Sequence, residues 1–217
     1  MIALAAVLAS LQAPLDSGVF VVRQDTVEIA RESFRLLPSP AGGFTLTATT
    51  RYDRGRPVVV LAPLVAFTAD SQLATLQYDV ADPREPVRIL GQVGRGRVTL
   101  RYLGHAIERA REFPAGAVTL VLDDSVFALY AAAAWRASPV PATFTVIYPR
   151  GARRATLTIR DLGLEATTVN RNPAALRHVV LSGGADGAVH LWLTRDGRLL
   201  KVEIPARRVV AERAPGD

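Results

Sequence analysis

The sequence predicts a mainly β protein: a strongly curved antiparallel sheet, or incomplete barrel, of about 10–12 strands wrapped around one apolar helix at about residues 124–137. Apolar and polar residues alternate along most of the chain, as they do in half-buried strands. Asp196-Gly197 separates two such runs, and this dipeptide is typical of tight hairpin turns. The run from Ser125 to Trp135 differs because it carries no charge and is rich in alanine.

The alanine-rich run favours a short helix, because alanine is the best helix former. Asp123 and Asp124 precede it, where carboxylates cap free backbone N–H groups and favour the positive end of the helix dipole. Arg136 follows it, and Pro139 and Pro141 prevent its continuation. Its surface is apolar nearly all round, so we expect the sheet to enclose the helix.

Strand signals fill the chain on both sides of this helix. Residues 19–29 predict either one long strand or a tight pair of strands around Asp25. The other predicted strands cover residues 34–36, 44–49, 58–65, 73–80, 87–93, 98–102 and 107–113 before the helix, and 144–148, 154–160, 176–181, 189–193, 200–204 and 209–212 after it. A turn is expected at residues 170–173, and no composition shift marks a domain boundary.

Composition sets the limits on class. The 217 residues are 49% apolar and 21% charged, which is typical of a folded globular protein. Cysteine is absent, which excludes disulfides, thiolate metal sites and a cysteine nucleophile. The net charge of +6 comes from 26 basic residues, of which only Lys201 is a lysine. Two explanations stay open: GC-rich coding, and attraction to an anionic partner.

The beginning of the chain has its own pattern. Residues 2–11 form a compact apolar stretch, and Leu11-Gln12-Ala13 resembles the small-residue end of a cleavable signal. We therefore predict a signal peptide at residues 1–13, a single β-rich domain at 14–217, and a periplasmic or secreted location. A buried first element is the alternative. No run reaches the roughly 20 apolar residues of a membrane-spanning helix.

The sequence offers no catalytic constellation. His105, His178 and His190 share no metal-ligand spacing with an acidic residue, and we expect His190 to face solvent on a strand. Ser182-Gly183-Gly184 is best explained as a hairpin loop, and Asp123-Asp124 as a structural pair. We predict no catalytic residue, no metal and no cofactor.

Arginine-rich strands form either solvated faces or a basic surface. Such a surface would fit anionic lipid headgroups or an acidic protein. Aromatic residues make up only 6% of the chain and do not interleave with the arginines, which argues against nucleic-acid binding. The arginines concerned are Arg97, Arg101, Arg153, Arg154, Arg160, Arg207 and Arg208.

A resemblance comes from the whole pattern of elements. Many long strands, a late apolar helix introduced by aspartates, a signal-like start and the hairpin L-W-L-T-R-D-G-R-L-L-K-V-E-I-P at 191–205 resemble bacterial periplasmic half-barrel proteins. This group includes lipoprotein carriers of the LolA and LolB type. The resemblance covers most of residues 18–213 and implies a curved sheet that holds a helix against its concave face, with acyl chains bound in the gap. It supplies no motif from which a functional residue can be transferred.

Two functions are predicted. The first is a non-enzymatic envelope protein that binds a lipid or other apolar ligand between sheet and helix, with Phe127, Leu129, Tyr130 and Trp135 lining the site. The second is a structural or interaction subunit whose helix fills the sheet, with exposed edge strands as its docking surface. An enzyme ranks third and would need a cleft with a histidine beside a carboxylate.

Overall fold

The structure is a computed structural model that describes residues 13–39, 42–54, 57–105, 108–185 and 187–216. The predicted signal peptide lies outside the described residues except for Ala13. Fifteen strands of the described chain form one sheet. They are β1 Asp16–Gln24, β2 Val27–Pro38, β3 Phe44–Tyr52, β4 Val59–Phe67, β5 Leu73–Ala81, β6 Val87–Gly94, β7 Arg97–Gly104, β8 Glu108–Pro114, β9 Thr119–Val121, β10 Ala142–Tyr148, β11 Arg153–Val169, β12 Asn172–Gly184, β13 Gly187–Leu193, β14 Leu199–Ile204 and β15 Val209–Arg213.

The strands are arranged as a meander. From β1 to β8, and again from β10 to β15, each strand pairs antiparallel with the next one along the chain. The first and last strands also pair, with Phe20 opposite Arg213 and Gln24 opposite Val209. β9 is the exception, since it runs parallel to β10. The sheet is thus continuous from β8 through β1 and β15 to β9.

The two ends of the sheet come together at a seam, formed by the facing edges of β8 and β9. These strands end the sheet on opposite sides, although only residues 115–118 separate them in the chain. Five Cα steps span at most about 18 Å, so the sheet has to roll until its ends approach. No ladder joins β8 to β9 in the described residues, which leaves the roll unclosed. The predicted mainly β fold, a curved unclosed sheet around a helix, is confirmed, with fifteen strands instead of ten to twelve.

Burial alternates along the strands as the sequence predicts. In β2, Ala30, Glu32, Phe34 and Leu36 point into the roll and are buried, while the residues between them are exposed. Of the two alternatives for residues 19–29, the tight pair is confirmed. Its turn at Asp25 has a φ of 56°.

The helix lies inside the roll and is shorter than predicted. Helix α1 covers Tyr130–Ala134, and all five residues are buried. An isolated antiparallel bridge between Asp123 and Val126 closes a tight turn over Asp124 and Ser125, so the helix cannot begin there. Beyond it, Ala137 N donates to Ala134 O in a tighter three-residue turn.

The hairpin of β11 and β12 extends beyond the neighbouring strand β13. β13 pairs with β12 only as far as Arg177 opposite Leu193, while β11 and β12 continue to a turn at Asn170-Arg171. We call residues 162–177 the arm. A register shift at Leu162, followed by Gly163 with a φ of 88°, marks its base. Such a bulge bends a strand and changes the direction of the residues beyond it.

Candidate ligand site at the seam of the rolled sheet

Three of the four predicted ligand residues lie in the core, and the fourth, Trp135, is half-buried against it. Phe127, Leu129 and Tyr130 are 1%, 0% and 2% exposed, so they leave almost no surface open to solvent or to a water-sized void. The ring of Trp135 packs edge-on against Phe44 at 5.3 Å, and its Nε1 donates to Gly197 O at 2.9 Å. The structure therefore shows these four residues as contacts that fill the roll, and their role in ligand binding stays a prediction.

The carboxylate that caps the helical segment comes from β2, not from the aspartates before the helix. Glu32 Oε2 accepts from Phe127 N at 2.8 Å, and Glu32 Oε1 accepts from Ala128 N at 2.6 Å. Thr50 Oγ1 adds a third hydrogen bond at 2.8 Å. Glu32 is fully buried, and this desolvation raises its pKa to about 7. The predicted capping by Asp123 and Asp124 is wrong, since no side chain caps α1 itself and the N–H groups that Glu32 binds belong to the turn just before α1.

Asp123 instead serves a second interior network. Arg150 clamps it with both arms of the guanidinium, Nε to Oδ2 and Nη2 to Oδ1, each at 2.7 Å. Tyr78 donates its hydroxyl to Asp123 Oδ2 at 2.9 Å, and Asp123 Oδ1 also accepts from Ser125 N at 2.8 Å. Bidentate charge-assisted bonds of this kind fix geometry strongly. The network ties β5 to the residues that lead into the helix.

A row of side chains crosses the concave face toward the seam. Tyr78 lies opposite Ile89, Ile89 opposite Tyr102, and Tyr102 opposite Arg109. The first three are buried, and Tyr102 donates its hydroxyl to Pro149 O at 2.9 Å, across the interior. Arg109, on the edge strand β8, is exposed. The buried part of the concave face thus ends at Tyr102, and the next side chain in the row, Arg109, is a cation exposed to solvent.

A second arginine has the same placement. Arg111 lies opposite Leu100, so it shares the concave face of β8 with Arg109. The Arg109 guanidinium lies 4.9 Å from the centre of the Tyr102 ring. Burial raises the pKa of the Tyr102 hydroxyl, and the charges of Arg109 and Arg111 act in the opposite direction. Neither arginine forms an ion pair with a carboxylate of the described chain.

A cavity of about 400 Å³ lies where this row meets the loop between β5 and β6. The loop is shaped by an Asp82 turn, in which Arg84 N donates to Asp82 Oδ1 at 2.9 Å. This volume falls in the range of small-molecule sites, which begins at about 300 Å³. The cavity is lined by Pro83, Arg84, Glu85, Pro86, Val87, Tyr102, Gly104, His105 and Arg109.

The lining has an apolar wall and a charged rim. Val87 and Tyr102 supply the wall, with Pro83 and Pro86 at the mouth. Arg109 and Arg84 contribute positive charge at the rim, against a single carboxylate from Glu85. An apolar body with one anionic group matches this arrangement, because the wall removes apolar surface from water while the guanidinium pairs with the anion. We call this cavity the seam pocket, because Arg109 belongs to β8, one of the two strands of the seam; its lining in the described chain includes no residue of β9.

Sequence reasoning missed the seam pocket, although one signal pointed to its edge. The segment Glu108-Arg-Ala-Arg-Glu112 is charged on both strand faces, which is typical of a sheet edge. What the sequence could not supply is the register that places Tyr102 beside Arg109. His105, for which the sequence predicted no role, lines the pocket.

Several of the predicted basic residues are already paired. Arg97 Nη1 lies 3.3 Å from Glu112 Oε2, and Arg101 pairs with Glu108 across the same two strands. Arg207 pairs with Asp124 at 3.6 Å and Arg208 with Asp25 at 3.3 Å. The outer face of β7 and β8 is therefore neutralised, whereas Arg109 and Arg111 lie on the concave face of β8.

The histidines are not as expected. His190 is half-buried instead of facing solvent, and its Nδ1 lies 2.9 Å from Nε2 of the buried His178. The described residues hold no group of three or more acidic or histidine side chains arranged for a metal ion. Among the helices described, none has the length and hydropathy needed to cross a bilayer.

Comparison with known proteins supports the fold. No family model matches the chain, and no curated protein matches it in sequence. The chain is similar in structure to a β-barrel-like protein of a domain of unknown function, DUF1849, from Brucella abortus, with a TM-score of 0.58 and 12% sequence identity. The match covers 91% of this chain and 94% of that one. At this identity the similarity supports the β-barrel-like architecture alone.

Proposed function

We propose that this protein is a non-enzymatic binding protein of the cell envelope that takes up an apolar ligand carrying an anionic group. The observation that carries the proposal is the seam pocket, where the apolar wall of Val87 and Tyr102 meets the guanidinium of Arg109. Fatty acids and anionic lipids have this chemistry. The apolar stretch at residues 2–11 supports an envelope location.

The pocket is placed for entry from solvent. Its mouth is formed by the exposed loop residues Pro83 to Pro86, and its inner end by the buried Tyr102. A ligand can therefore bind without displacing the helix from the filled core. The helix instead has a structural role: together with Glu32 and Asp123 it stabilises the rolled shape of the sheet.

Binding of laurate and of the fluorescent anion anilinonaphthalene sulfonate tests the proposal. We expect saturable binding of both, and Val87→Trp should abolish it by filling the pocket. Arg109→Gln should weaken laurate binding about tenfold, which corresponds to loss of one charge-assisted contact of about 1.4 kcal/mol. The same variant should leave binding of lauryl alcohol, which has no charge, unchanged.

Arg101→Gln is the matched control, because Arg101 lies on the next strand with its side chain on the opposite face. It removes the same charge and should bind laurate like the wild type. Equal binding by the wild type and Val87→Trp, or equal weakening by Arg101→Gln and Arg109→Gln, would remove the basis for the seam pocket.

A second function, an interaction subunit, is favoured by a different observation. The core is filled around the helix, and β8 has a free edge within the described sheet, with nearly all of its residues exposed. Such an edge can pair with an extended segment of a partner. A photo-crosslinking residue at Ala110, in the middle of β8, tests this: capture of one defined partner, without ligand binding in the seam pocket, would favour the subunit.

A further inference from the structure

The arm is folded back over the outer face of the sheet. At its tip, Asn170 N donates to Glu212 Oε1 at 3.1 Å, and Asn170 Nδ2 donates to Arg213 O at 2.6 Å. These residues belong to β15, three strands away from β12. Three strand spacings amount to about 14 Å, a distance that five extended residues of the arm can cover. The arm therefore crosses β13 and β14 to reach its anchor.

Between the arm and the sheet lies a second buried layer, separate from the main core. Leu176, at the base of the arm, and Trp192, on β13, are 6% and 8% exposed. The ring of His178 stacks flat on Trp192, with 4.8 Å between ring centres and 1° between planes. Lys201 Nζ lies 4.7 Å above the same Trp192 ring. Opening of the arm would expose this aromatic patch on the outer face.

A chain of hydrogen bonds connects the arm to the sheet through two histidines. Glu165, on the arm, places Oε2 at 2.7 Å from His178 Nδ1. His178 Nε2 lies 2.9 Å from Nδ1 of His190, on β13. When both rings are neutral, His178 donates to Glu165 and accepts from His190, so each contact has one hydrogen.

This chain can take up one proton but not two. The first proton goes to the outer nitrogen of His190, Nε2, and leaves both contacts intact. A second proton puts hydrogens on both His178 Nε2 and His190 Nδ1, which face each other at 2.9 Å. Two cations and two donors then oppose each other, and the rings must separate.

We propose that the arm is a flap that the Glu165–His178–His190 chain holds closed at neutral pH and that double protonation of the two histidines releases. Acidification thus uncovers the patch around Trp192. This device is independent of the seam pocket and of the function proposed for it.

The charged groups around the two rings set the range in which this occurs. Glu165 faces them from β11, and Glu203 and Lys201 face them from β14, while Glu212 and its partner Arg23 lie farther away, beyond Lys201 on β15 and β1. The negative charge of the carboxylates favours binding of the first proton by the histidine pair. The positive charges of Lys201 and of the first histidinium oppose binding of the second proton. Burial, and then the charge of His178, lower the pKa of His190 in the closed form. Release is therefore expected only as the pH falls below the ordinary pKa of histidine.

Hydrogen exchange measured by mass spectrometry between pH 8 and pH 5 tests the flap, after correction for the intrinsic rate. Residues 162–177 should lose protection at least tenfold over this range, since each additional proton bound by the open form changes the opening equilibrium about tenfold per pH unit. Residues 44–67, in the main core, should keep their protection, which separates flap opening from global unfolding.

His190→Asn is the decisive variant. Asparagine can donate to or accept from His178 without gaining a charge, so the arm should stay protected down to pH 5. His105→Asn, which removes the one histidine outside the cluster, should leave the acid response of the arm unchanged. Constant protection of the wild-type arm from pH 8 to pH 5 would overturn the proposal, as would an identical acid response in the wild type and His190→Asn.

Discussion

At the scale of single residues, Glu32 has the largest part in organising the interior. It lies at an inward position of β2, between Ala30 and Phe34, where the alternation requires an apolar residue. Its carboxylate accepts hydrogen bonds from the buried N–H groups of Phe127 and Ala128, in the turn that leads into α1. A buried charge is costly unless it is bonded in this way.

Removal of this carboxylate should strongly destabilise the fold. Glu32→Ala leaves two buried N–H groups and the Thr50 hydroxyl without their acceptor, so we expect a loss of about 3–5 kcal/mol in the free energy of unfolding. Urea denaturation measures it. Glu28→Ala, on the same strand in an exposed pair with Arg31, is the control and should change stability by about 0.5 kcal/mol or less.

The raised pKa of Glu32 determines whether the free energy of unfolding rises or falls with pH. Burial raises this pKa from 4.5 to about 7, so between these values the folded state binds the proton more strongly than the unfolded state. The contribution of Glu32 to stability is complete below about pH 4.5 and is lost as the pH rises to about 7, at up to about 1.4 kcal/mol per pH unit.

Glu32→Gln removes this titration. The difference in unfolding free energy between the wild type and Glu32→Gln should fall with rising pH inside the window from 4.5 to 7 and be constant above it. Comparison of the two proteins cancels the titration of all other groups. A difference that does not change from pH 4.5 to pH 8 contradicts the assignment.

At the scale of elements, the concave face depends on a glycine. Gly91, in β6, lies between Leu76 of β5 and Leu100 of β7 in register. A Cβ at position 91 would lie 2.8 Å from Leu100 Cδ2 and 3.1 Å from Leu76 Cβ. The two leucines occupy the space that a side chain at position 91 would need.

Gly91→Ala should therefore destabilise the protein by about 1–3 kcal/mol through overpacking. At Gly94, at the end of the same strand, an added Cβ would meet no described atom within 4 Å, and the backbone does not require a positive φ. Gly94→Ala should be neutral or slightly stabilising, because it reduces the freedom of the unfolded chain. Thermal or urea unfolding of the pair measures the contrast, and equal effects would contradict the packing at Gly91.

At the scale of the whole molecule, local patterns predicted the strands but not how the sheet closes. Alternation located β2, β3 and β7, because one-sided burial leaves a period of two in the sequence. The pairing of β1 with β15 and the approach of β8 to β9 depend on contacts between distant residues, which no local pattern records.

The same limit explains the errors at the site. Asp123 and Asp124 precede a helical run, so local rules assign them to its cap, yet they pair with Arg150 and Arg207, which lie far away in the chain. The partner that does cap, Glu32, lies 95 residues away from Phe127 in the chain. In the same way, the sequence alone suggests that Arg97 and Arg101 form a basic face. The register of β7 with β8 instead places Glu112 and Glu108 beside them, and the charges pair.

The most direct test of the seam pocket is the backbone amide spectrum of the isotopically labelled protein during titration with laurate. We expect saturable shifts centred on Val87, Tyr102 and Arg109, with residues 127–135, in and around α1, little changed. Shifts confined to residues 127–135 would place the ligand between sheet and helix and contradict the seam pocket. No saturable shift at any residue would contradict ligand binding altogether.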